Sequence, residues 1–212
     1  MNNEIKKVKF AFFDFDDTLL KKDTMGHLYV YYMKRNPLKL YRFIILGIKA
    51  ILYKLHIIPF QVVKEELIYP ISQMTDQQLD EFYKEDIIPR YYPNVLNKLK
   101  EHVEDGYHVW LVSASPEPYL FCTDLPVEVI LGTKVERIGD RWTNHIISKN
   151  CKNSEKVNRI MEVLNEKHLE IDYDNSYGYS DSDSDIPMLD LVKNKIRINK
   201  KNGEMSPFVK GQ

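Results

Sequence analysis

The sequence predicts an α/β protein: a doubly wound, mainly parallel sheet interrupted by an all-helical insertion. Three observations predict it. Short apolar runs of strand type recur at residues 8–13 (VKFAFF), 107–112 (YHVWLV) and 176–179, with helical stretches between them; strands alternating with helices give parallel sheets. Each run arrives at a cluster of Asp or Ser, and open α/β sheets bind ligands outside the carboxyl ends of their strands. From about Asp23 to Ile88 the signals are helical only, with Pro37, Pro59 and Pro70 as punctuation.

The elements follow in order. Residues 8–13 lack polar alternation, so they read as an internal strand covered on both faces. In the insertion, Thr75 is a candidate N-cap for a helix over 74–88 that is apolar at Leu79, Phe82, Tyr83 and Ile87. A helix over 93–103 ends at Asp105-Gly106, and the strand over 107–112 reaches Ser113-Ala114-Ser115. Residues 127–131 read as a second strand, and 135–147 as a hairpin turning at Gly139-Asp140. A helix over 154–167 takes Ser154 as its N-cap. The strand at 176–179 leads into Ser180-Asp181-Ser182-Asp183-Ser184-Asp185, followed by a short helix through Val192 and a strand at 195–198. The expected division is a core of residues 1–20 and 93–212 and a helical domain of residues 21–92.

Composition excludes more than it proposes. The chain has 212 residues with 30 basic and 31 acidic side chains, a formal net charge of −1, which gives no bulk attraction to nucleic acid or an anionic membrane. Eight glycines exclude collagen-like and Gly-rich low-complexity readings. Cys122 and Cys151 are too few for a disulfide framework. Residues 1–9 are charged and lack an apolar stretch, so no secretory leader is expected and the chain reads as cytoplasmic. Six histidines show no HExxH spacing, which argues against zinc; His27, close to the first acidic cluster, is a candidate to line a pocket.

One stretch strains the reading of a soluble chain. Residues 43–60 (FIILGIKAILYKLHIIPF) are interrupted only by Lys49, Lys54 and His56, and those charges argue against a membrane span. On a helix, Arg42, Lys49 and His56 recur every seven residues as a basic stripe. The plain expectation is a helix buried on most sides. The sharper one is a helix that lies on a membrane surface or grips an apolar substrate.

The chemistry begins at Asp14-Phe15-Asp16-Asp17-Thr18. If strand geometry persists, Asp14 and Asp16 share a face and Asp17 points away. Two carboxylates in one small site repel and need a cation or a shared proton; Mg²⁺, which takes carboxylate oxygens and keeps several waters, suits them. One carboxylate can attack a phosphoryl group, and its neighbour can protonate the leaving oxygen and then activate water.

FAFFDFDDTLL resembles the first motif of the haloacid dehalogenase superfamily, an apolar strand followed by DxDxT. VWLVSAS is similar to the second motif and places a phosphate-contacting hydroxyl on Ser113. In CKNSEKVNRI both Lys152 and Lys156 are candidates for the third-motif lysine; Lys156-Val157-Asn158-Arg159 is the better match. Ser180 through Leu189 resembles GDSxxDxxML with Ser180 in place of Gly. The resemblance covers residues 8 to about 191 and implies a Rossmann-like core in which Asp14 is the nucleophile and Asp16 the acid/base. It further implies Ser113 and Lys156 on the phosphate. Mg²⁺ would be held by the Asp14 carboxylate, the Asp16 main-chain carbonyl, Asp181 and, directly or through water, Asp185; Asp183 would be a bystander.

The insertion resembles the small helical cap of the phosphoserine phosphatase-like branch. Asp23 stands where that enzyme tends to carry Glu, and Ala114-Ser115-Pro116-Glu117 where it tends to have a Gly-Gly pair. The expected function is hydrolysis of a small phosphorylated metabolite, dependent on Mg²⁺ and passing through an aspartyl-phosphate. The alternative is a lipid-linked phosphate, such as a phosphatidylglycerophosphate, at a membrane surface. A receiver-like signalling module has no acid/base at the position of Asp16, and a catalytically dead binding module has no support because every motif side chain is present. The expected partner is a phosphate ester, not nucleic acid, with peripheral membrane contact as the secondary expectation.

Overall fold

In the computed structural model, which describes residues 6–211, a six-stranded sheet forms around one wholly buried strand. Part of the charged opening stretch, read above as lacking a leader, lies outside the described residues. In chain order the elements are β1 (Lys6–Val8), β2 (Phe10–Phe13), α1 (Thr24–Arg35), α2 (Arg42–Lys54), α3 (Phe60–Leu67), α4 (Asp76–Phe82) and α5 (Pro93–Glu104). There follow β3 (His108–Pro116), α6 (Glu117–Leu120), β4 (Val129–Thr133), β5 (Val135–Ile138), β6 (Arg141–Ile146) and α7 (Ser154–Lys167). The chain ends with β7 (Leu169–Ile171), β8 (Tyr177–Ser180), α8 (Ile186–Leu189), β9 (Asn194–Ile198) and β10 (Met205–Pro207).

The spatial order is β4-β3-β2-β8-β9-β10, parallel except for β10. From β2 the chain steps outward through β3 and β4, then crosses back to place β8 on the other side of β2. The order reverses at β2, and such a switch point opens a crevice at the carboxyl ends of the strands. Period-two alternation explains the apolar run. Ala11 and Phe13 join one core with Leu99 of α5 and with Leu28 and Phe82 of the insertion. Phe10 and Phe12 join the other with Trp110, Ile160, Leu164 and Met188. Both faces are covered, so FAFF is apolar throughout. Gly178 of β8 lets α8 approach: a Cβ there would meet Leu189 Cδ2 at 2.8 Å.

The insertion joins the sheet through a narrow neck, where Tyr92 N–H donates to Leu19 O at 2.9 Å and Lys21 N–H to Arg90 O at 3.0 Å. Asp23 caps α1 by accepting from Gly26 N–H at 3.0 Å. Thr75 and Gln78 form a reciprocal capping box on α4, which continues through a π-turn at Tyr83–Ile87. The antiparallel hairpin β5–β6 turns at Gly139-Asp140 as predicted. It leans on the insertion: Ile146 N–H donates to Glu65 Oε1 at 3.1 Å, and Trp142 Nε1 to Asp76 Oδ1 at 3.0 Å.

Several expectations are corrected. The strand over 8–13 breaks at Lys9, whose ammonium donates to Asp105 O at 3.1 Å; β1 pairs with β7 instead. β3 continues past Val112 to Pro116, and the strand predicted over 127–131 is displaced to Val129–Thr133. Asn153, at φ 54°, is the N-cap of α7 in place of Ser154. The short, exposed β10 (Met-Ser-Pro) carried no strand pattern. The largest departure is α2, which has no buried residue. Phe43, Ile44, Ile48 and Ile51 face outward while Ile45, Leu46 and Leu52 are only half-buried, so the expectation of a helix buried on most sides does not hold.

Candidate active site

A cleft of about 460 Å³ lies at the carboxyl ends of β2, β3 and β8, and Asp14, Asp16, Ser113, Lys156, Asp181 and Asp185 all line it. The aspartates and Ser113 converge there because the strands that precede them are neighbours in the sheet, and Lys156 joins them from the first turn of α7. A larger groove of about 680 Å³ shares only Asp23 with this cleft and holds none of those six residues. His27 lies in that groove beside Asp86, at 3.4 Å, so the expectation that it lines the acidic pocket is corrected.

Asp14 follows β2 directly, its N–H donating to Tyr179 O at 3.1 Å. Lys156 donates to Asp14 Oδ1 at 2.7 Å and to Asp185 Oδ2 at 2.8 Å. It stands in the first turn of α7, almost wholly buried. Burial pushes the Asp14 carboxyl up to about 7; Lys156 pulls it down, while Asp185 and Asp16 push it further up. For Lys156, burial favours the neutral amine, but the two carboxylates outweigh it and raise its pKa. The ammonium therefore holds its proton. Thr18 Oγ1 donates to Asp14 Oδ2 at 3.3 Å and lies 3.4 Å from Asp181 Oδ1, tying the first acidic cluster to the last.

Asp14 and Asp16 share the cleft by way of a turn, not a pleat. The strand ends at Phe13, and Asp17 adopts φ 56°, a left-handed conformation that Asp tolerates better than most side chains. Asp17 accepts from Lys22 N–H at 2.9 Å, and after burial its like charge is the next cause that raises the pKa of Asp181. It therefore lines the same cleft rather than pointing away. Asp16 turns to Thr24 N–H at 2.7 Å and to the Ser115 hydroxyl at 2.5 Å. Burial, then the charge of Asp23, pushes its carboxyl up to about 6. Behind it, the hydroxyls of Thr24, Ser115 and Tyr119 form a closed buried network, with Tyr119 donating to Ser115 at 2.8 Å.

The remaining predicted residues fall into place around this pair. Ser113 is buried, its Oγ accepting from Ser115 N–H at 3.0 Å. Lys152 also lines the cleft, but it is exposed. Asp183 faces outward, paired with Arg197. Ser180 has a role that its position in the motif did not suggest. Its hydroxyl donates to Asp185 Oδ2 at 2.8 Å and accepts from Ser182 N–H at 3.0 Å, so it orients the carboxylate that Lys156 shares.

Lys64 of α3 escaped the sequence reading. It is 1% exposed and donates to Ala114 O at 2.7 Å, Thr133 Oγ1 at 2.9 Å and Asn150 Oδ1 at 2.5 Å. Burial draws its pKa down to about 8. Both cysteines are free, Cys151 wholly buried, with burial raising each thiol to about 11, so neither is a thiolate near neutrality.

The cleft is short of positive charge. Six carboxylates line it (Asp14, Asp16, Asp17, Asp23, Asp181 and Asp185) against the ammonium groups of Lys64, Lys152 and Lys156. Among the described residues no three His, Cys, Asp or Glu side chains are grouped as a metal cage. Asp16 is turned to its hydroxyl network, and Asp185 is held by Lys156 and Ser180. What remains is Asp14 Oδ2 and Asp181 on either side of the Thr18 hydroxyl. A few hard oxygens with uncompensated negative charge fit Mg²⁺, an ion that retains several waters and needs only one or two carboxylates.

Comparisons with known proteins bear on the family and the fold. Over 138 residues the chain is 28% identical to a histidinol-phosphatase of Neisseria meningitidis, covering 61% of this chain and 62% of that protein. Over 122 residues it is 25% identical to the phosphoserine phosphatase SerB1 of Mycobacterium tuberculosis, covering 57% and 39%. The matched regions thus span less than two thirds of either relative. A crystal structure of a Bordetella pertussis protein of unknown function superimposes with a TM-score of 0.75 at 22% identity, over 92% of this chain and 91% of that one. A substrate-bound phosphoserine phosphatase gives a TM-score of 0.61 at 16% identity, over 91% and 87%. At those identities the superpositions speak for the fold. The haloacid dehalogenase-like hydrolase family model matches residues 11–190, from the middle of β2 to just past α8, and the chain belongs to that family.

Proposed function

We propose that the protein is a phosphomonoester hydrolase that uses Mg²⁺ and an aspartyl-phosphate on Asp14, acting on a small phosphorylated metabolite. The relatives named as phosphatases support the reaction class. The observation that carries the reading is the division of labour between two carboxylates two residues apart. Asp14 sits against the Lys156 ammonium at 2.7 Å. Asp16 is held by Thr24 and Ser115 with its pKa raised to about 6.

In the first step an Asp14 carboxylate oxygen attacks phosphorus and the ester P–O bond breaks, while Asp16 gives its proton to the leaving oxygen. In the second, a water oxygen attacks phosphorus and passes its proton to Asp16, and the aspartyl P–O bond breaks to regenerate the Asp14 carboxylate and release phosphate. An acid that titrates near neutrality can both give and take that proton. The Ser113 hydroxyl and Lys156 ammonium would hold phosphoryl oxygens, a charge-stabilising role that a dry, preorganised cleft strengthens. Asp14, the Asp16 carbonyl and Asp181 would hold Mg²⁺, with Asp185, already bound by Lys156 and Ser180, supporting it through water; the ion would supply Lewis-acid polarisation of the phosphoryl group.

The helices between β2 and α5 would act as a cap over this cleft, with residues 1–20 and 93–212 as the core; Met25, Tyr53, Phe60 and Lys64 of that region line the cleft and support the division. Phosphate release from an aryl phosphate, with and without EDTA, tests the activity. A panel of amino-acid, imidazole-alcohol, sugar and nucleotide monoesters then tests the substrate class. Turnover that EDTA leaves unchanged contradicts the metal assignment, and no release from any monoester contradicts the reaction.

A further inference from the structure

Helix α2 turns Arg42 and Lys49 inward and a stripe of aliphatic side chains outward. Arg42 and Lys49 both reach Glu66 of α3, which is 1% exposed, at 2.8 and 2.7 Å. Ile44, Ile48, Ile51 and Leu55, one stripe at helical spacing, are 67%, 52%, 59% and 62% exposed. A helix that merely covers a core does the reverse, and a contiguous exposed apolar face of this kind marks an interaction surface. Arg42 and Lys49 of the basic stripe therefore lie on the packed face, while His56 stays exposed. The partner surface is the aliphatic one.

Charge identifies the partner. Between Asp23 and Glu65 the sequence has no Asp or Glu and seven Lys or Arg. Lys39 before the stripe and the exposed Lys54 near its end form no ion pair among the described residues. Two copies of the chain meeting on this face would bring two acid-free basic segments together. An anionic bilayer offers what the face asks for, apolar depth beneath negative headgroups. The rim carries Tyr41 and Tyr53, 52% and 41% exposed, and amphipathic rings of this type settle at headgroup level. No helix among the described residues is long and apolar enough to cross a membrane, so the contact is with the surface. The face is also continuous with the cleft, because Tyr53 lines both.

We propose that α2 and its flanks, residues 38–57, are a docking surface for an anionic lipid bilayer, with the helix lying in the interface plane and the mouth of the cleft beside it. The surface is argued independently of the phosphatase reading. The test is sedimentation of the full chain with vesicles of equimolar phosphatidylglycerol and phosphatidylcholine, and with phosphatidylcholine alone. The wild type is expected to pellet with the anionic vesicles and to be released by high salt. The double variant Ile48→Glu, Ile51→Glu is expected to bind at least about tenfold more weakly, with an unchanged unfolding midpoint and unchanged turnover of a soluble aryl phosphate. Equal pelleting with both vesicle types, or equal binding by the variant, overturns the proposal. So does a dimer, seen by light scattering, that the variant splits while no vesicle binds. Vesicle binding without aryl-phosphate turnover would count against the phosphatase reading alone.

Discussion

Lys64, on a helix of the insertion, donates to the main-chain carbonyl of Ala114 at 2.7 Å, one residue beyond Ser113. This bond crosses from α3 to the end of β3, and the same ammonium also holds Thr133 and Asn150. The geometry of the Ser113 segment is therefore set partly by the insertion. Replacing Lys64 with Met keeps the stem but removes a donor shared by three acceptors, which the single Thr133 hydroxyl and the Cys151 N–H only partly replace. The expected loss of stability is on the order of 3 kcal/mol, measured by denaturant unfolding. If the positioning matters as described, kcat/KM for an aryl phosphate falls by roughly a hundredfold. An unchanged kcat/KM would separate Lys64 from the site.

Glu66 anchors α2 in the same way that Lys64 anchors α3. It is buried and holds Arg42 and Lys49, with Arg42 also stacked 3.3 Å from the centre of the Tyr69 ring. Removing one member of a buried ionic cluster leaves the others uncompensated. Glu66→Gln is expected to cost about 3 kcal/mol. Hydrogen exchange should show the amides of α2 losing protection before those of the sheet.

His102 of α5 gives the fold a defined acid sensitivity. It is 2% exposed, its Nε2 lies 2.7 Å from the Tyr179 hydroxyl, and its Nδ1 has no partner among the described residues. Burial, helped by Lys98, pulls its pKa from 6.5 down to about 4. The unfolded chain thus takes up a proton near pH 6.5 that the folded chain resists until about pH 4, so acidification through that window favours unfolding. The contribution is full above pH 6.5 and amounts to about 3 kcal/mol lost by pH 4. Unfolding free energies measured at pH 7 and pH 4.5 should differ less in His102→Leu than in the wild type; parallel pH profiles would refute this account.

Asp16 is the residue whose loss separates the two half-reactions. Asp16→Asn retains the Thr24 and Ser115 neighbours but cannot exchange a proton. Turnover is expected to fall by about 10²–10⁴. Intact mass should show a fraction of the chain carrying one phosphoryl group when the leaving group is good enough to depart unaided. A variant that turns over normally would remove Asp16 from the mechanism.

What the sequence disclosed depended on whether a residue's role was local. Asp14, Ser113, Lys156, Asp181 and Asp185 each stand where an apolar run stops or a helix begins, so local pattern marks them as candidates and the resemblance to the haloacid dehalogenase motifs singles them out. Lys64 and Glu66 lie in FQVVKEEL, where charged residues read as a solvated helix face. Their burial depends on acceptors at residues 114, 133 and 150 and on cations at residues 42 and 49, and nothing within that segment announces those contacts. Hydrophobicity misled at α2 for a related reason. An apolar side chain favours being covered, but the sequence of the helix alone does not say whether this chain supplies the cover. Ser180 was legible as a departure from the motif. Its hydrogen bond to Asp185 was visible only in three dimensions.

The most direct test of the central claim is the identity of the covalent adduct. The chain should be quenched in acid during turnover of a radiolabelled aryl phosphate and digested, and the labelled peptide sequenced by mass spectrometry. The account predicts an acid-stable, hydroxylamine-labile phosphoryl group on Asp14 and no label in Asp14→Asn, which should also lack turnover. Label on any other residue, or full activity of Asp14→Asn, would contradict it.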